Sequence, residues 1–305
     1  MANQERIKTR LDNIRSVEPI LGAMRTISLG SWQAALTRQA RLSRYSQRLI
    51  ALLPPLIPHL AVRKGRRRQK GKPGAARSLR RQSSPAPTTV LIIGSERGLC
   101  GAFNSGLVQY AVQVLAQYET DGVEIELATL GSRARRTLQR SGWTIVWSKP
   151  LPMTTLPTNE LAYELTREWL ERYEAYELDA VDLIYNAYRG STLHEPRVAR
   201  LIPPPLPPLA TAAMPWPAPY IDTDRVALYT RLIKLWVATE MYRVLLDSAA
   251  AEHSARFQLM EGATQNSNDL IAELTLALQA VRQQAITSEM QELASGAGLV
   301  GEQQE

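Results

Sequence analysis

Residues 225–295 read "RVALYTRLIKLWVATEMYRVLLDSAAAEHSARFQLMEGATQNSNDLIAELTLALQAVRQQAITSEMQELAS", a stretch with no proline and one glycine, Gly262. Apolar or small residues recur through it at helical steps: Val226, Tyr229, Ile233, Trp236, Val237, Met241, Val244, Leu245, Ala255, Leu259, Ala263, Leu270, Leu274, Leu278, Val281 and Ala285. That periodicity predicts one unbroken helix. At 1.5 Å per residue it spans on the order of 100 Å, whereas ordinary globular helices run about three turns. Such a helix cannot hide inside a domain and must project as a rod.

A rod needs a partner, and the other end of the chain offers one. Ile7, Leu11, Ile14, Val17, Leu21, Met24 and Ile27 form a single narrow apolar stripe, and the pattern continues to Pro54-Pro55. A narrow stripe is the mark of a coiled-coil seam. Pro19 falls inside it and should kink the helix or cost about 3 kcal/mol. The N-terminal helix is shorter than the C-terminal one. The unmatched end of the rod, "ITSEMQELASGAGLV", is therefore expected in a socket supplied by another protein.

Between the two helices, strand and helix patterns alternate. "TTVLIIG" (88–94) is a continuous apolar run, as a strand buried on both faces should be. Helix "SGLVQYAVQVLAQYE", strand "EIELATLG", basic helix "SRARRTLQRSG", strand "WTIVWS", helix "NELAYELTREWLERYEAY" and strand "AVDLIYNAY" follow. This order predicts a Rossmann-like α/β domain with a mostly parallel sheet. The expected division is an N-terminal helix over 1–58, a basic insert over 59–87 and the α/β domain over 88–202. A proline-rich connector over 203–222, which holds "PPPLPPLATAAMPWPAP", and a C-terminal helix over 223–305 complete it. The two long helices are expected to pair as an antiparallel, left-handed coiled coil with the α/β domain inserted between them.

Charge has to be located before it is interpreted. Residues 61–86, "AVRKGRRRQKGKPGAARSLRRQSSPA", hold ten basic residues and no acid, so the net +7 of the chain becomes a net −3 elsewhere. The segment reads as a solvated low-complexity insert. Contact with anionic lipid head groups, with nucleic acid or with an acidic partner is the alternative, and no nucleic-acid partner is expected. No run approaches the roughly 18 apolar residues of a membrane span, and "MANQERIKTRLDNIR" lacks a signal-peptide core. Cys100 is the only cysteine, which rules out a dithiol switch, and His59, His194 and His253 show no metal-ligand spacing. Neither a metal nor a cofactor is expected.

The loop "GSERGLCGAFN" (94–104) follows the first strand and invites a nucleotide reading. It lacks the Lys-Ser/Thr of a phosphate loop. Its glycines at 94, 98 and 101 do not match the dinucleotide fingerprint. Gly98 and Gly101 instead suit a tight turn, with Asn104 or Ser105 capping the next helix. Arg97 could lower the Cys100 thiol pKa, but no histidine stands near in sequence as a base, and a structural cysteine is expected. A small nucleotide-binding enzyme with a helical dimerisation arm remains the competing reading.

Four stretches resemble the gamma subunit of F-type ATP synthases: "RIKTRLDNIRSVEPILGAMRTI" (6–27), "GSERGLCGAFN", "VDLIYNAYRGS" (181–191) and "SAAAEHSARFQLMEGATQNSNDLIAELTLALQAVRQQAITSEMQELASGAG" (248–298). The resemblance implies a rotor shaft inside a ring of alpha and beta subunits, docked on the epsilon subunit and the membrane c-ring. It implies coupling of ion-driven rotation to ATP synthesis or hydrolysis, with no catalytic site on the chain, and a peripheral position at the cytoplasmic face of the membrane. By motif it places Met24, Arg25, Arg256, Arg282, Gln283, Thr287 and Glu289 at the rotor–stator contact, and makes Gly98, Cys100, Gly101 and Asn104 a structural turn. Pro19, Gly22, Gly30 and "LALQAV" depart from the family pattern and point to a divergent, second-copy branch.

Overall fold

The computed structural model describes residues 2–53, 56, 86–153, 155–190, 193–204 and 220–296. Most of the basic insert, the proline-rich connector between 205 and 219, and residues 297–305 lie outside them. Two compact units are distinguished, one of residues 1–28 with 257–305 and one of 29–256. The helices α1 (Ala2–Ala51) and α5 (Arg225–Gly296) contribute to both. No helix among the described residues is long and apolar enough to cross a membrane.

The larger unit is built on a five-stranded sheet of order β3-β2-β1-β4-β5. Strands β1 (Thr88–Ile93), β2 (Ile125–Leu130), β3 (Trp147–Lys149) and β4 (Ala180–Tyr188) run parallel, and β5 (His194–Ile202) closes the edge antiparallel to β4. Helices α2 (Phe103–Thr120), α3 (Ser132–Arg140) and α4 (Asn159–Glu174) make the crossovers. All six residues of β1 are buried, and they divide by parity as a central strand must. Val90 and Ile92 join Leu107, Leu115 and Leu138 of α2 and α3. Leu91 and Ile93 join Leu165 and Trp169 of α4, Leu49 and Leu53 at the end of α1, and Trp236, Met241 and Leu245 of α5. One face of the sheet thus receives a helical layer of its own, and the other receives the long helices.

Two details differ from expectation. The β5 strand, "HEPRVARLI", was not expected, because Pro196 and the charges make it read as a loop. It forms because it is an edge, where proline and polar residues are tolerated. Also, "WTIVWS" yields only a three-residue β3. Arg200 on β5 lies directly opposite Asp182 on β4 and grips it with two hydrogen bonds of 2.6 Å each. Tyr118 at the end of α2 donates its hydroxyl to the same carboxylate at 2.5 Å. Burial and the Asp182 carboxylate together push the Tyr118 phenol up to about 12.

Helix α1 also departs from its predicted pattern. It runs unbroken through Pro19, which stands on an exposed side. Burial in its first part includes Ile7, Leu11, Ile14, Glu18, Leu21, Arg25 and Ser28, at steps of four and three, with Met24 half-buried beside them. Val17 and Ile27, expected in the seam, are 47% and 56% exposed. The seam keeps the 3.5-residue repeat that winds left-handed, and accepts polar side chains to do so. Within the smaller unit Leu11 packs with Leu274 and Leu278, and Arg25 pairs with Glu261 at 2.9 Å. Within the larger unit Gln39 bonds Asp247, and Ser46 donates to Glu240 at 2.8 Å. Seven residues forward on α1 match seven back on α5, so the pairing is antiparallel.

Asp182→Ala should cost about 2 kcal/mol in thermal unfolding, because Asp182 is buried and its removal leaves Tyr118 and Arg200 without their acceptor. The figure is kept low because the Arg200 side chain is 47% exposed.

Candidate functional site

In a parallel sheet of this order the crevice lies outside the carboxyl ends of the strands. Here the connection after β1 leads to α2 on one face, the connection after β3 leads to α4 on the other, and β4 turns directly into β5. The loop after β1 and the end of β4 meet there. The position is largely taken up by the chain itself, leaving a small recess lined by Glu96, Leu151, Ser248 and His253. Cys100 and Phe103 pack on Ala251 of α5, with Tyr188 and Ala255 around them. From the opposite side, Leu156 in the loop before α4 packs with Ala35 of α1 and Leu246, Ala249 and Ala250 of α5. Helix α5 therefore passes through a collar made by two strand-exit loops and α1.

Two polar fastenings hold α5 in that collar, and a third braces the collar itself. Arg256 is only 4% exposed. Its Nε donates to the Gly98 carbonyl at 3.3 Å, and Nη2 donates to the Arg97 carbonyl at 3.4 Å and to Glu252 Oε1 at 2.6 Å. Nη1 lies 3.3 Å from His253 Nδ1. Burial followed by the charges of Arg256 and Arg97 pushes the His253 imidazole down to about 4. Burial raises Glu252 above the ordinary carboxylate range, against the pull of Arg256. Asp247 is the second fastening: its Oδ1 accepts from Gln39 Nε2 of α1 and from the Tyr188 amide of β4, both at 3.2 Å. One oxygen thus joins α1, α5 and the sheet. The third is Glu96, whose carboxylate accepts the Ser132 amide at 3.0 Å, the Ser132 hydroxyl and the Leu151 amide at 3.1 Å. Burial opposes its charge, but these bonds outweigh burial and hold Glu96 below its ordinary range. It fixes the start of α3 and the loop that carries Leu156.

The turn residues fit this arrangement. Gly101 has φ +57° and Leu99 has φ +60°, so the tip is wound tightly with a non-glycine residue in the left-handed region. Asn104 does not cap α2, whose N-cap is Ala102 with no side-chain bond. Its Oδ1 accepts the Ser95 amide at 3.0 Å, and its Nδ2 reaches Ser95 Oγ at 2.8 Å and Cys100 Sγ at 3.4 Å. The Cys100 thiol is buried, and desolvation raises its pKa where Arg97 was considered able to lower it. The closest approach falls at Gly94, where a Cβ would stand 2.4 Å from the Ala134 Cβ. That glycine is what lets α3 sit against the end of β1.

The remaining family-matched residues lie apart from the collar. Met24 is half-buried in the α1 seam, and its carbonyl accepts from Ser28. Arg25 stays partly exposed in its pair with Glu261. Arg282, Gln283, Thr287 and Glu289 are exposed along the last turns of α5, with Thr287 Oγ1 bonded to the Gln283 carbonyl at 2.8 Å. Ile286, Met290 and Leu293 are exposed among them. Arg256 is the exception in that set: expected to face a partner, it is engaged by the chain's own loop. Asp247 and Glu96 were not singled out by the sequence, and Gly94 was weighed only against a phosphate loop, because each acts through a contact distant along the chain.

Replacing Arg256 by Leu leaves Glu252 buried and unpaired, and should cost about 3 kcal/mol in thermal unfolding. The Glu252→Leu/Arg256→Leu double variant should recover most of that loss. The depressed His253 gives a second expectation. The unfolded imidazole takes a proton near 6.5 and the folded one only near 4, so stability falls as pH drops through that window. His253→Gln should flatten that part of a pH–stability curve.

Comparison with known proteins agrees with this architecture. A family model described as ATP synthase matches residues 3–299. The ATP synthase gamma chain of Anaeromyxobacter dehalogenans (strain 2CP-C) is 32% identical over 303 residues, covering 95% of this chain and 97% of its own. That of Aliarcobacter butzleri (strain RM4018) is 28% identical, covering 97% and 98%. Among solved structures, a chain of the Euglena gracilis mitochondrial ATP synthase (OSCP/F1/c-ring, rotational state 3) superposes with a TM-score of 0.61 at 16% identity, over 100% of this chain and 98% of that one. A chain of the Tetrahymena thermophila mitochondrial ATP synthase central stalk and c-ring gives 0.54 at 18% identity, over 80% and 99%. The long paired helices, the inserted parallel sheet and the end-to-end match place this chain in the ATP synthase gamma chain family.

Proposed function

We propose that the chain is the rotor shaft of an F-type ATP synthase, coupling transmembrane ion-driven rotation to ATP synthesis or hydrolysis in a ring of alpha and beta subunits. The observation that carries this reading is the collar. The stretch of α5 from Leu246 to Arg256 is fastened where a doubly wound domain would otherwise hold a ligand, so the domain and that stretch of the helix move together. A shaft needs that property, and a nucleotide-binding enzyme needs its opposite, an open crevice at the strand ends.

In this reading residues 1–58 and 223–305 form the shaft, and 88–202 form the domain that docks on the epsilon subunit and the c-ring. Met24 and Arg25 in the first helix, and Arg282, Gln283, Thr287 and Glu289 near the end of α5, meet the alpha and beta subunits. Exposed apolar neighbours such as Ile286 and Met290 support an enclosing socket there. Arg256 acts from inside, holding the Gly98 turn at a fixed place on the shaft. None of these groups makes or breaks a bond. They link rotor angle to the affinities of distant sites, a coupling free energy. The chain carries no catalytic role of its own and lies peripherally at the cytoplasmic face of the membrane.

The reading is tested by affinity purification of the tagged chain. It should bring down catalytic subunits in fixed stoichiometry, and deletion of residues 285–305 should lower ATP-driven ion pumping of the assembled complex at least several-fold. A chain purified alone from its native source, with no larger subunits, would refute it.

A further inference from the structure

Helix α3 is charged in a way its own stability does not explain. Its nine residues, "SRARRTLQR", include four arginines and no acid. Ala134 and Leu138 are fully buried against the sheet, and Arg133, Arg136 and Arg140 are exposed at steps of three and four. Like charges at that spacing repel along a helix. Arg133 also stands in the first turn, where the helix dipole disfavours a cation. The neighbouring layer shows how the fold treats arginine elsewhere. Arg172 of α4 finds Glu126 at 2.8 Å, and Arg200 finds Asp182 at 2.6 Å. Among the described residues no carboxylate lies within ion-pair distance of Arg133, Arg136 or Arg140.

We infer that the stripe Arg133–Arg136–Arg140 is a docking surface for a carboxylate-bearing face of another protein subunit, an inference that rests on the chain working inside a larger complex. The three arginines span about 10 Å of helix, a length that two or three carboxylates at helical spacing can match. Arginine suits that role because its planar fork takes a carboxylate through two bonds at once. A lipid surface fits less well: membrane-surface helices insert an apolar face, and the apolar face of α3 is already covered by the sheet. A nucleic acid fits less well too, because the exposed stripe carries no aromatic group for bases to stack on. The platform is rigid, since Glu96 anchors the start of α3 and Gly94 seats Ala134. Little ordering is then needed on binding.

The test uses the purified complex with Arg133→Lys, Arg136→Lys and Arg140→Lys introduced singly. Each variant keeps the charge and adds a primary amine. A zero-length carbodiimide joins an amine to a carboxylate only when the two touch. At least one of these lysines should be joined to an Asp or Glu of a different subunit, as read by mass spectrometry. The yield should drop about tenfold in high salt, as expected of a screened ion pair. Complexes that assemble with none of the three lysines joined to another subunit would overturn the inference. So would binding of the chain to anionic phosphatidylglycerol vesicles that disappears in the Arg133→Gln/Arg136→Gln/Arg140→Gln variant, which would assign the stripe to lipid. A chain that recovers no other subunit at all would instead count against the shaft reading itself.

Discussion

Arg256 carries a full positive charge at a place with almost no access to water, and much of the architecture can be understood from what it requires. A buried guanidinium must find acceptors for its donors. It finds two main-chain carbonyls in the turn after β1 and one carboxylate a helical turn back on its own helix. Those carbonyls are offered at the right height only because the turn is wound tightly through Leu99 and Gly101. The turn in turn is braced by Asn104 and Ser95 from below. The consequence is that α5 cannot rotate about its own axis without exposing unpaired buried groups on both sides. Asp247 sets the same constraint from the β4 side, with a single oxygen shared between α1 and the sheet.

This constraint separates two kinds of protein that share a sheet topology. A doubly wound domain that binds a small molecule keeps the strand ends open and lets glycines approach a phosphate. Here the same glycine-rich turn approaches a helix. The residues that phosphate binding or thiol chemistry would use are occupied with positioning: Cys100 is packed against Ala251, and Gly98 presents a carbonyl where a phosphate loop would present amides.

Much of this was legible in the sequence, and the places where it was not share a cause. The long helices follow from the absence of proline and glycine over 225–295, and the parallel core follows from continuous apolar runs such as "TTVLIIG". Both are local signals of large amplitude. The seam of α1 was read one residue out at Val17 and Ile27, because apolar character was the guide. The helix obeys the geometric repeat instead and places Glu18, Arg25 and Ser28 inward. Strand β5 was missed because its pairing depends on β4 and on the Asp182–Arg200 contact, neither of which its own nine residues announce. Arg256 reads in sequence as one more charge on a solvated helix face. Only the return of the chain, 158 residues apart from Gly98, makes it an internal group.

The central claim is that the α/β domain turns with the stretch of α5, Leu246 to Arg256, to which it is fastened. It is tested most directly by fixing the catalytic ring to a surface and attaching a bead to the α/β domain through Tyr163→Cys. That position is exposed on α4, while the only native thiol, Cys100, is buried. On addition of ATP the bead should turn continuously in one direction. A bead that stays still, or wanders without direction while ATP is hydrolysed, would contradict the account.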